Sequence, residues 1–116
     1  MGKPVVHWEV GGKDAKKLQE FYAKLFEWKI DTNYPMNYGM ADTGGEGGIN
    51  GGIGSTGEDN QPYVTFYVQV DDLQAYLNRA EKLGAKTIVP PTEIPNVVTF
   101  ASFTDPEGNR IGLVKG

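Results

Sequence analysis

The chain has 116 residues, of which 39% are hydrophobic and 22% are charged, and its net charge is −4. This composition indicates one globular domain over residues 1–116. The acidic balance argues against nucleic acid and anionic membranes as partners, because both need a basic face. Cysteine is absent, which excludes disulfides, thiol nucleophiles and thiolate metal sites. No apolar run approaches the roughly 20 residues of a membrane span, and no signal peptide precedes the first predicted strand, so we expect a cytoplasmic protein.

The first predicted strand, Val5–Val10, has one apolar face and one polar face. Its residues alternate, so that Trp8 points one way while His7 and Glu9 point the other. His7 is the only histidine of the chain, and Glu9 follows it two residues later. The pattern therefore predicts a strand that presents His7 and Glu9 together, as candidate catalytic or ligand-binding side chains.

The rest of the first half predicts a helix and three further strands. Apolar residues from Leu18 to Phe26 recur at spacings of three and four, which is the pattern of an amphipathic helix with its apolar side in the core. Asp14 is placed to cap the start of this helix. Tyr34, Met36 and Tyr38 are expected near the opening of the polar face. The elements that follow are predicted strands at Trp28–Thr32, Tyr38–Thr43 and Ile49–Ile53, and a polar linker at Ser55–Pro62.

The second half repeats this order of elements. Tyr63–Val70 alternates like the first strand, with Tyr63, Thr65, Tyr67 and Gln69 on its polar face. The later predictions are a helix from Leu73 to Leu83 that stops at Gly84, strands at Lys86–Val89, Val97–Phe103 and Ile111–Val114, and a turn at Asp105–Gly108.

Two boundaries in the second half depend on particular residues. Asp71 and Asp72 can each cap the helix that follows, and Gln74, three residues after Asp71, gives a variant of the capping box. The pair Pro90 and Pro91 is expected to end the preceding strand, because proline has no backbone N–H to donate.

The two halves match at an offset of 58 residues. This offset pairs two β-α-β-β-β modules, residues 3–56 and 60–115, and predicts an α+β fold. The helices need a sheet to cover, so we expect one mixed or antiparallel sheet with both helices outside and a concave polar face, a cup. The identical pairs are Val6/Val64, Val10/Val68, Asp14/Asp72, Lys24/Lys82, Leu25/Leu83 and Ile30/Ile88.

With these motifs in place, the sequence resembles the vicinal oxygen chelate superfamily, which includes glyoxalase I, bleomycin-resistance proteins and extradiol dioxygenases. It is most similar to small bacterial glyoxalase-like proteins. The resemblance implies paired β-α-β-β-β modules around a small ligand, usually in a homodimer. Its most specific part is the Asp-Pro-Glu-Gly-Asn turn before the last strand. The segments that carry the resemblance are His7–Val10, Phe21–Trp28, Gly48–Ile53, Tyr67–Leu73 and Phe103–Leu113.

The resemblance also implies where a metal would be bound. In metal-dependent members, four side chains from the first and last strands of each module hold the ion. The corresponding positions here are His7, Asn50, Thr65 and Gly112, of which only His7 matches a family ligand. One good donor in four does not hold a divalent ion. We therefore expect no cofactor and no family metal site, with a divalent metal aided by Glu9 as the alternative.

Three roles remain open for the polar face. His7 is a wall residue that hydrogen-bonds a ligand, a general acid or base beside Glu9, or a metal ligand. Tyr63 and Tyr67 either contact a ligand or fill the cup or a dimer seam. The candidate catalytic residues are His7 and Glu9. The candidate ligand-binding residues are His7, Glu9, Asn50, Tyr63, Thr65, Tyr67 and Gln69.

Three functions follow from these alternatives. The first is a glyoxalase-like protein that binds a small organic molecule without a family metal. The second is a lyase or isomerase, related to lactoylglutathione lyase, in which His7 with Glu9 or Tyr67 transfers a proton. The third is a dimeric interaction module whose cup is filled. A ferredoxin-like β-α-β-β-α-β barrel is the alternative fold, and it predicts no strand after Asp105 and Pro106.

Overall fold

The computed structural model describes residues 2–56 and 61–116. Its order of elements confirms the predicted α+β class, with a β-α-β-β-β pattern that occurs twice. The offset of 58 is also visible in the elements, because the first strands begin at Val5 and Tyr63 and the helices begin at Ala15 and Leu73. The elements are β1 Val5–Gly12, α1 Ala15–Phe26, β2 Lys29–Asp31, β3 Gly39–Asp42, β4 Gly51–Ser55, β5 Tyr63–Val70, α2 Leu73–Lys82, β6 Lys86–Ile94, β7 Val98–Thr104 and β8 Arg110–Lys115.

The described residues group into two compact units. One comprises the described part of His7–Thr65, and we call it the Glu9 unit. The other comprises residues 2–6 and 66–116, and we call it the Leu77 unit. The predicted division into modules 3–56 and 60–115 stays a prediction. Half of the predicted Ser55–Pro62 linker, residues 57–60, lies outside the described residues.

In the Glu9 unit, the strands follow the order β2-β3-β4-β1. β2 and β3 are antiparallel, as are β3 and β4, whereas β1 runs parallel to β4 with Glu9 opposite Gly52. Helix α1 starts where the Asp14 carboxylate accepts a hydrogen bond from the Lys17 backbone N–H at 3.1 Å, as predicted. It ends at Glu27, which adopts a left-handed conformation. The helix packs against β4, whose inner residues are three glycines and Ile53.

In the Leu77 unit, the strands follow the order β5-β8-β7-β6. β5 and β8 are parallel, and the other two pairs are antiparallel. The apolar side of α2 covers this sheet and builds an aliphatic core, in which Leu77 is 1% exposed. Gly84 follows α2 with φ +105°, so the predicted glycine stop is confirmed. The core residues are Val70, Leu73, Leu77, Ala101 and Leu113.

One predicted boundary is confirmed and one is wrong. Of the two predicted caps of α2, Asp72 is the cap, and its carboxylate accepts from the Ala75 N–H at 3.0 Å. Gln74, the partner of Asp71 in the predicted capping box, instead donates to Asn78. β6 does not end at Pro90 and Pro91 but continues to Ile94. It tolerates the prolines because it is the last strand in the order of its unit, and because its register with β7 shifts on both sides of Val89.

The turn at Asp105–Gly108 forms as predicted, with the Gly108 N–H donating to the Asp105 carbonyl at 2.9 Å. The Asp105 carboxylate accepts from the side chain and backbone of Asn109 and from the Glu107 N–H. These hydrogen bonds, led by that of the Asn109 side chain, lower the pKa of Asp105. β8 follows this turn, which excludes the ferredoxin-like alternative. None of the helices in the described ranges is long and apolar enough to cross a membrane.

Candidate functional site

The two faces of β1 separate packing from polar chemistry. On one face, the Trp8 ring packs on Trp28 with centroids 5.1 Å apart, and its indole N–H donates to the Ile49 carbonyl at 2.6 Å. On the opposite face lie His7, which is partly buried, and Glu9, which is 8% exposed. The alternation in the sequence therefore places a carboxylate inside the Glu9 unit. Such a group is costly to bury without hydrogen bonds.

Four polar side chains of the Glu9 unit meet around that carboxylate, and we call them the Glu9 cluster: His7, Glu9, Tyr38 and Tyr63. The Tyr63 hydroxyl donates to Glu9 Oε2 at 2.5 Å, and the Tyr38 hydroxyl donates to Glu9 Oε1 at 3.0 Å. His7 Nε2 lies 2.8 Å from the same Tyr38 hydroxyl. Each carboxylate oxygen thus accepts a charge-assisted hydrogen bond from a phenol.

The geometry orders the protons of this cluster. The Tyr38 hydroxyl has one proton, and it is donated to Glu9. His7 must then be the donor in its hydrogen bond with Tyr38, which requires the proton on Nε2. Burial lowers the pKa of His7, and the nearby Glu9 charge opposes this with a smaller effect in the other direction. The cluster therefore holds a neutral imidazole, a phenol and a carboxylate in one hydrogen-bonded chain.

Glycines explain how two tyrosine rings fit on this face. A β-carbon at Gly52 would fall inside the Tyr38 ring, and one at Gly54 would lie 2.8 Å from it. A β-carbon at Gly11 would likewise collide with the Tyr63 ring. The glycines that weaken β4 as a strand thus provide the flat surface on which Tyr38 lies.

Sequence reasoning missed the central place of Tyr38. It placed Tyr38 only near the opening of the polar face, because hydrogen bonds between residues 29 and 31 positions apart have no local pattern. The available signal was the run of glycines at Gly51, Gly52 and Gly54, since closely spaced glycines in a strand often mark the close approach of another group.

The remaining candidates of the Glu9 unit lie in different surroundings. Thr65 is buried, with 5% of its surface exposed. Asn50 is exposed and precedes β4, and its side-chain oxygen accepts from the N–H and hydroxyl of Thr43. It also borders a surface cavity of about 330 Å³ together with residues of β2 and β3, such as Asp31 and Asp42. These contacts of Asn50 do not involve a member of the Glu9 cluster.

The other candidates lie in the Leu77 unit. Tyr67 is buried, and its ring occupies the space that a side chain at Gly112 would need. The Gln69 side chain similarly covers Gly116. Tyr67 pairs with Gly112 in the same way that Glu9 pairs with Gly52. In this register the counterpart of Gly112 in the first module is Gly52, two residues after Asn50.

The chain has relatives in sequence and neighbours in fold among known proteins. It is 28% identical to the CFP32 protein of Mycobacterium bovis over 106 residues, covering 86% of this chain but only 41% of that relative. The methylmalonyl-CoA epimerase of Mycobacterium tuberculosis has the same fold, with a TM-score of 0.68 at 14% identity and coverage of 96% and 86% of the two chains. The Mn(II)-bound glyoxalase of Novosphingobium aromaticivorans matches with a TM-score of 0.64 at 14% identity, covering 97% of this chain and 38% of that one.

A metal of the kind bound by that last neighbour does not fit the corresponding residues here. Gly112 and Gly52 have no donor side chains, and the rings of Tyr67 and Tyr38 fill the space above them. Within residues 2–56 and 61–116, no group of three or more His, Cys, Asp or Glu side chains is placed to hold a metal ion. The nitrogen of His7 that faces the cluster is already hydrogen-bonded to Tyr38.

A family model fits almost the entire chain. It describes the Glyoxalase/Bleomycin resistance protein/Dioxygenase superfamily and matches residues 5–113. The match includes both β-α-β-β-β patterns and all four members of the Glu9 cluster. The chain therefore belongs to the Glyoxalase/Bleomycin resistance protein/Dioxygenase superfamily.

Proposed function

We propose that this protein binds a small organic molecule with hydroxyl or carbonyl groups at the Glu9 cluster, without a family metal. The observation that carries the proposal is the carboxylate of Glu9, which is 8% exposed and accepts hydrogen bonds from Tyr38 and Tyr63. Burying a carboxylate costs free energy, and a hydrophobic side chain would serve the sheet better. A buried carboxylate that is hydrogen-bonded to two phenols beside a histidine is therefore a candidate functional group.

The chemistry of the cluster supports this class of ligand. Glu9 offers acceptor oxygens, whereas the tyrosine hydroxyls and the neutral imidazole of His7 can both donate and accept. The flat rings of Tyr38 and Tyr63 add apolar surface beside these polar atoms. A small molecule with one or two oxygen atoms on a short carbon skeleton matches this combination.

A binding screen tests the proposal. Ligand-observed NMR with a set of small carbonyl and hydroxy compounds would be run on the wild type, on Glu9→Gln and on Tyr38→Phe. We expect Glu9→Gln to weaken the binding of any compound found by about tenfold or more, because a hydrogen bond to a charged group contributes about 1.5–3 kcal/mol. Tyr38→Phe should weaken binding less, since it removes one hydroxyl and keeps the ring.

Glu20→Gln is the matched control, because it removes the same charge at an exposed position on α1. This variant should bind the compounds with the affinity of the wild type. Compounds that bind Glu9→Gln as tightly as the wild type would contradict the proposal. A protein that binds none of the compounds at millimolar concentration would favour a purely structural module instead.

A second function, a lyase or isomerase, is favoured by the hydrogen-bonded chain from His7 through Tyr38 to Glu9. In this reaction the Glu9 carboxylate removes a proton from the carbon next to a substrate carbonyl, and the C–H electron pair forms the enolate. The proton then returns from the Glu9 carboxyl group to the same or a neighbouring carbon. Proteins of this fold include a methylmalonyl-CoA epimerase, whose name describes an inversion at a single centre.

Exchange with deuterium distinguishes catalysis from binding. Small carbonyl compounds, including 2-oxoaldehyde–thiol adducts, would be incubated with the protein in D₂O and followed by proton NMR. A catalyst makes the signal of the hydrogen next to the carbonyl decay faster than in buffer, and Glu9→Gln and His7→Ala should abolish the difference. Equal rates in the wild type and both variants would remove these residues from the mechanism.

We also infer that the protein forms a homodimer. The first half of β5 exposes its apolar side, with Val64 76% and Phe66 41% exposed, while Thr65 between them is 5% exposed. A monomer gains nothing from exposing these apolar side chains and burying the threonine, because burial of apolar surface is the main favourable term in folding.

Sedimentation of the wild type should give twice the mass of one chain. Val64→Lys should sediment with the mass of a single chain, because a charge is placed in the apolar surface. If this variant remains a dimer, this surface is not the interface.

A further inference from the structure

A glutamine on the buried side of α1 makes hydrogen bonds to the backbone next to Tyr38, a member of the Glu9 cluster. Gln19 is 6% exposed, and its amide nitrogen donates to two backbone carbonyls, those of Asn37 at 2.9 Å and Ile53 at 2.8 Å. A buried amide is costly unless it is hydrogen-bonded. Both protons of this amide nitrogen are used, so the side chain is held in one orientation.

The two carbonyls lie on either side of Tyr38. Asn37 directly precedes Tyr38, and Ile53 lies between Gly52 and Gly54, on which the Tyr38 ring rests. The amide of Gln19 thus joins the backbone that carries Tyr38 to the strand that supports its ring. The distance from the Tyr38 hydroxyl to Glu9, 3.0 Å, depends on both.

The backbone before Tyr38 needs such support. It passes through a tight turn at Pro35–Asn37, in which Met36 and Asn37 have φ values of 62° and 58°. The left-handed region is strained for residues other than glycine, more for Met36 than for Asn37. A strained segment of this kind keeps its shape only when neighbouring groups hold it, and the hydrogen bond from Gln19 to the Asn37 carbonyl is one of them.

The other module shows what this helix position contains when the corresponding connection is shorter and has one left-handed residue, Asn96, instead of two. The counterpart of Gln19 at the offset of 58 is Leu77, which is 1% exposed in an aliphatic core. There, only Pro95–Val97 separates the two strands that correspond to β2 and β3. A helix on a sheet therefore needs no amide at this position, and Gln19 has a partner that Leu77 lacks.

We propose that Gln19 is a positioning residue of the Glu9 cluster, which acts through Tyr38. It fixes the turn at Pro35–Asn37 against β4, so that the Tyr38 hydroxyl reaches both Glu9 and His7. This inference rests on the proposed function for its purpose, but the position of Tyr38 is measurable without any ligand.

The single histidine of the chain makes the test direct. The imidazole nitrogens of ¹⁵N-labelled protein report the tautomer and the hydrogen bond of His7 without overlap from another residue. Tyr38→Phe provides the reference spectrum for a lost hydrogen bond. Gln19→Met keeps the length of the side chain and removes its polar atoms. We expect its imidazole resonances to move from the wild-type positions towards those of Tyr38→Phe.

Gln74→Met is the matched control. Gln74 is an exposed glutamine on α2, and its side chain donates a hydrogen bond to Asn78 of the same helix. Its resonances should stay at the wild-type positions. Should Gln19→Met fail to fold, Gln19→Asn retains the amide but withdraws it by one carbon, and the same shift is expected. A folded Gln19 variant with wild-type resonances would overturn the proposal.

Ligand affinity separates this inference from the proposed function. For a compound that requires Glu9, Gln19→Met should weaken binding by no more than Tyr38→Phe does, because Gln19 acts through the Tyr38 hydroxyl. If Glu9→Gln has no effect on binding but Gln19→Met shifts the His7 resonances, the proposed function fails and the role of Gln19 stands. If Glu9→Gln weakens binding and the resonances do not move, only the role of Gln19 fails.

Discussion

The two units repeat one pattern of elements but fill their interiors differently. In the Leu77 unit, the residues between helix and sheet are aliphatic. In the Glu9 unit, the buried residues include Glu9, Gln19 and four glycines of β1 and β4. Since the same β-α-β-β-β pattern is stable with an apolar interior, the polar interior of the Glu9 unit is not required by the fold. We therefore attribute most of the stability to the Leu77 unit and the proposed ligand binding to the Glu9 unit.

Corresponding positions show the same division. Glu9 corresponds to Tyr67, and in both units a tyrosine ring lies over the glycine of the neighbouring parallel strand. In the Glu9 unit that ring belongs to Tyr38, which comes from a different strand and carries its hydroxyl to Glu9. In the Leu77 unit, the tyrosine ring over the glycine only fills space. In the Glu9 unit, the ring in that place also brings a hydroxyl into a hydrogen-bonded cluster.

The largest expected effect is on the aliphatic core. Leu77→Ala should lower the free energy of unfolding by about 3 kcal/mol, because it removes a fully buried side chain and leaves a cavity. Urea unfolding followed by circular dichroism measures the change. Leu83→Ala is the control, since Leu83 directly follows the same helix and is 75% exposed, so that its truncation should cost little. Equal losses from both variants would contradict the assignment of the core to Leu77.

Adding a methyl group beneath each tyrosine should cost about 2 kcal/mol, as overpacking of a filled site does. The variants are Gly52→Ala beneath Tyr38 and Gly112→Ala beneath Tyr67. Thermal unfolding gives the comparison. When Tyr67 is first shortened to alanine, Gly112→Ala should cost much less. A cost that persists in Tyr67→Ala would show that the tyrosine ring is not what excludes a side chain at residue 112.

A smaller change of opposite sign is expected at Ser102. Its hydroxyl is buried and has no hydrogen-bond partner among residues 2–56 and 61–116, with 1% of the residue exposed. Ser102→Ala should raise the free energy of unfolding by about 1 kcal/mol, because it removes an unsatisfied polar group. Ser55→Ala, at an exposed position, serves as the control and should change nothing. A destabilised Ser102→Ala would mean that this hydroxyl is satisfied in solution.

The smallest effect is a dependence on pH through His7. Burial lowers its pKa in the folded protein, so the unfolded chain binds the proton more tightly than the folded one. This contribution to stability is complete above the ordinary histidine pKa of about 6.5 and is lost as the pH falls below it. Urea unfolding at pH 7.5 and 5.5 should show a loss in the wild type that is smaller in His7→Gln. An equal loss in both would exclude His7 as its source.

The sequence predicted the parts of this structure that depend on local patterns. Alternation identified β1 and β5, spacing identified both helices, and Gly84 marked the end of α2. The same alternation placed His7 and Glu9 on one face, which the structure confirms.

The parts that were missed depend on distant contacts. Pro90 and Pro91 are tolerated in β6 because of its place in the order of strands. Tyr38 reaches Glu9 only because Gln19 and the glycines of β4 hold it there. Neither feature follows from spacing along the chain, since each is decided by which strands become neighbours.

The most direct test of the division between the units is to map ligand contacts by backbone NMR. ¹⁵N-labelled protein would be titrated with the set of small carbonyl and hydroxy compounds, and amide shifts recorded for every compound that binds. We expect the largest changes in amide chemical shift around Glu9, in residues 7–11, 37–39, 52–54 and 63–65. Shifts confined to β6, β7 and β8, or none at millimolar concentration, would contradict it.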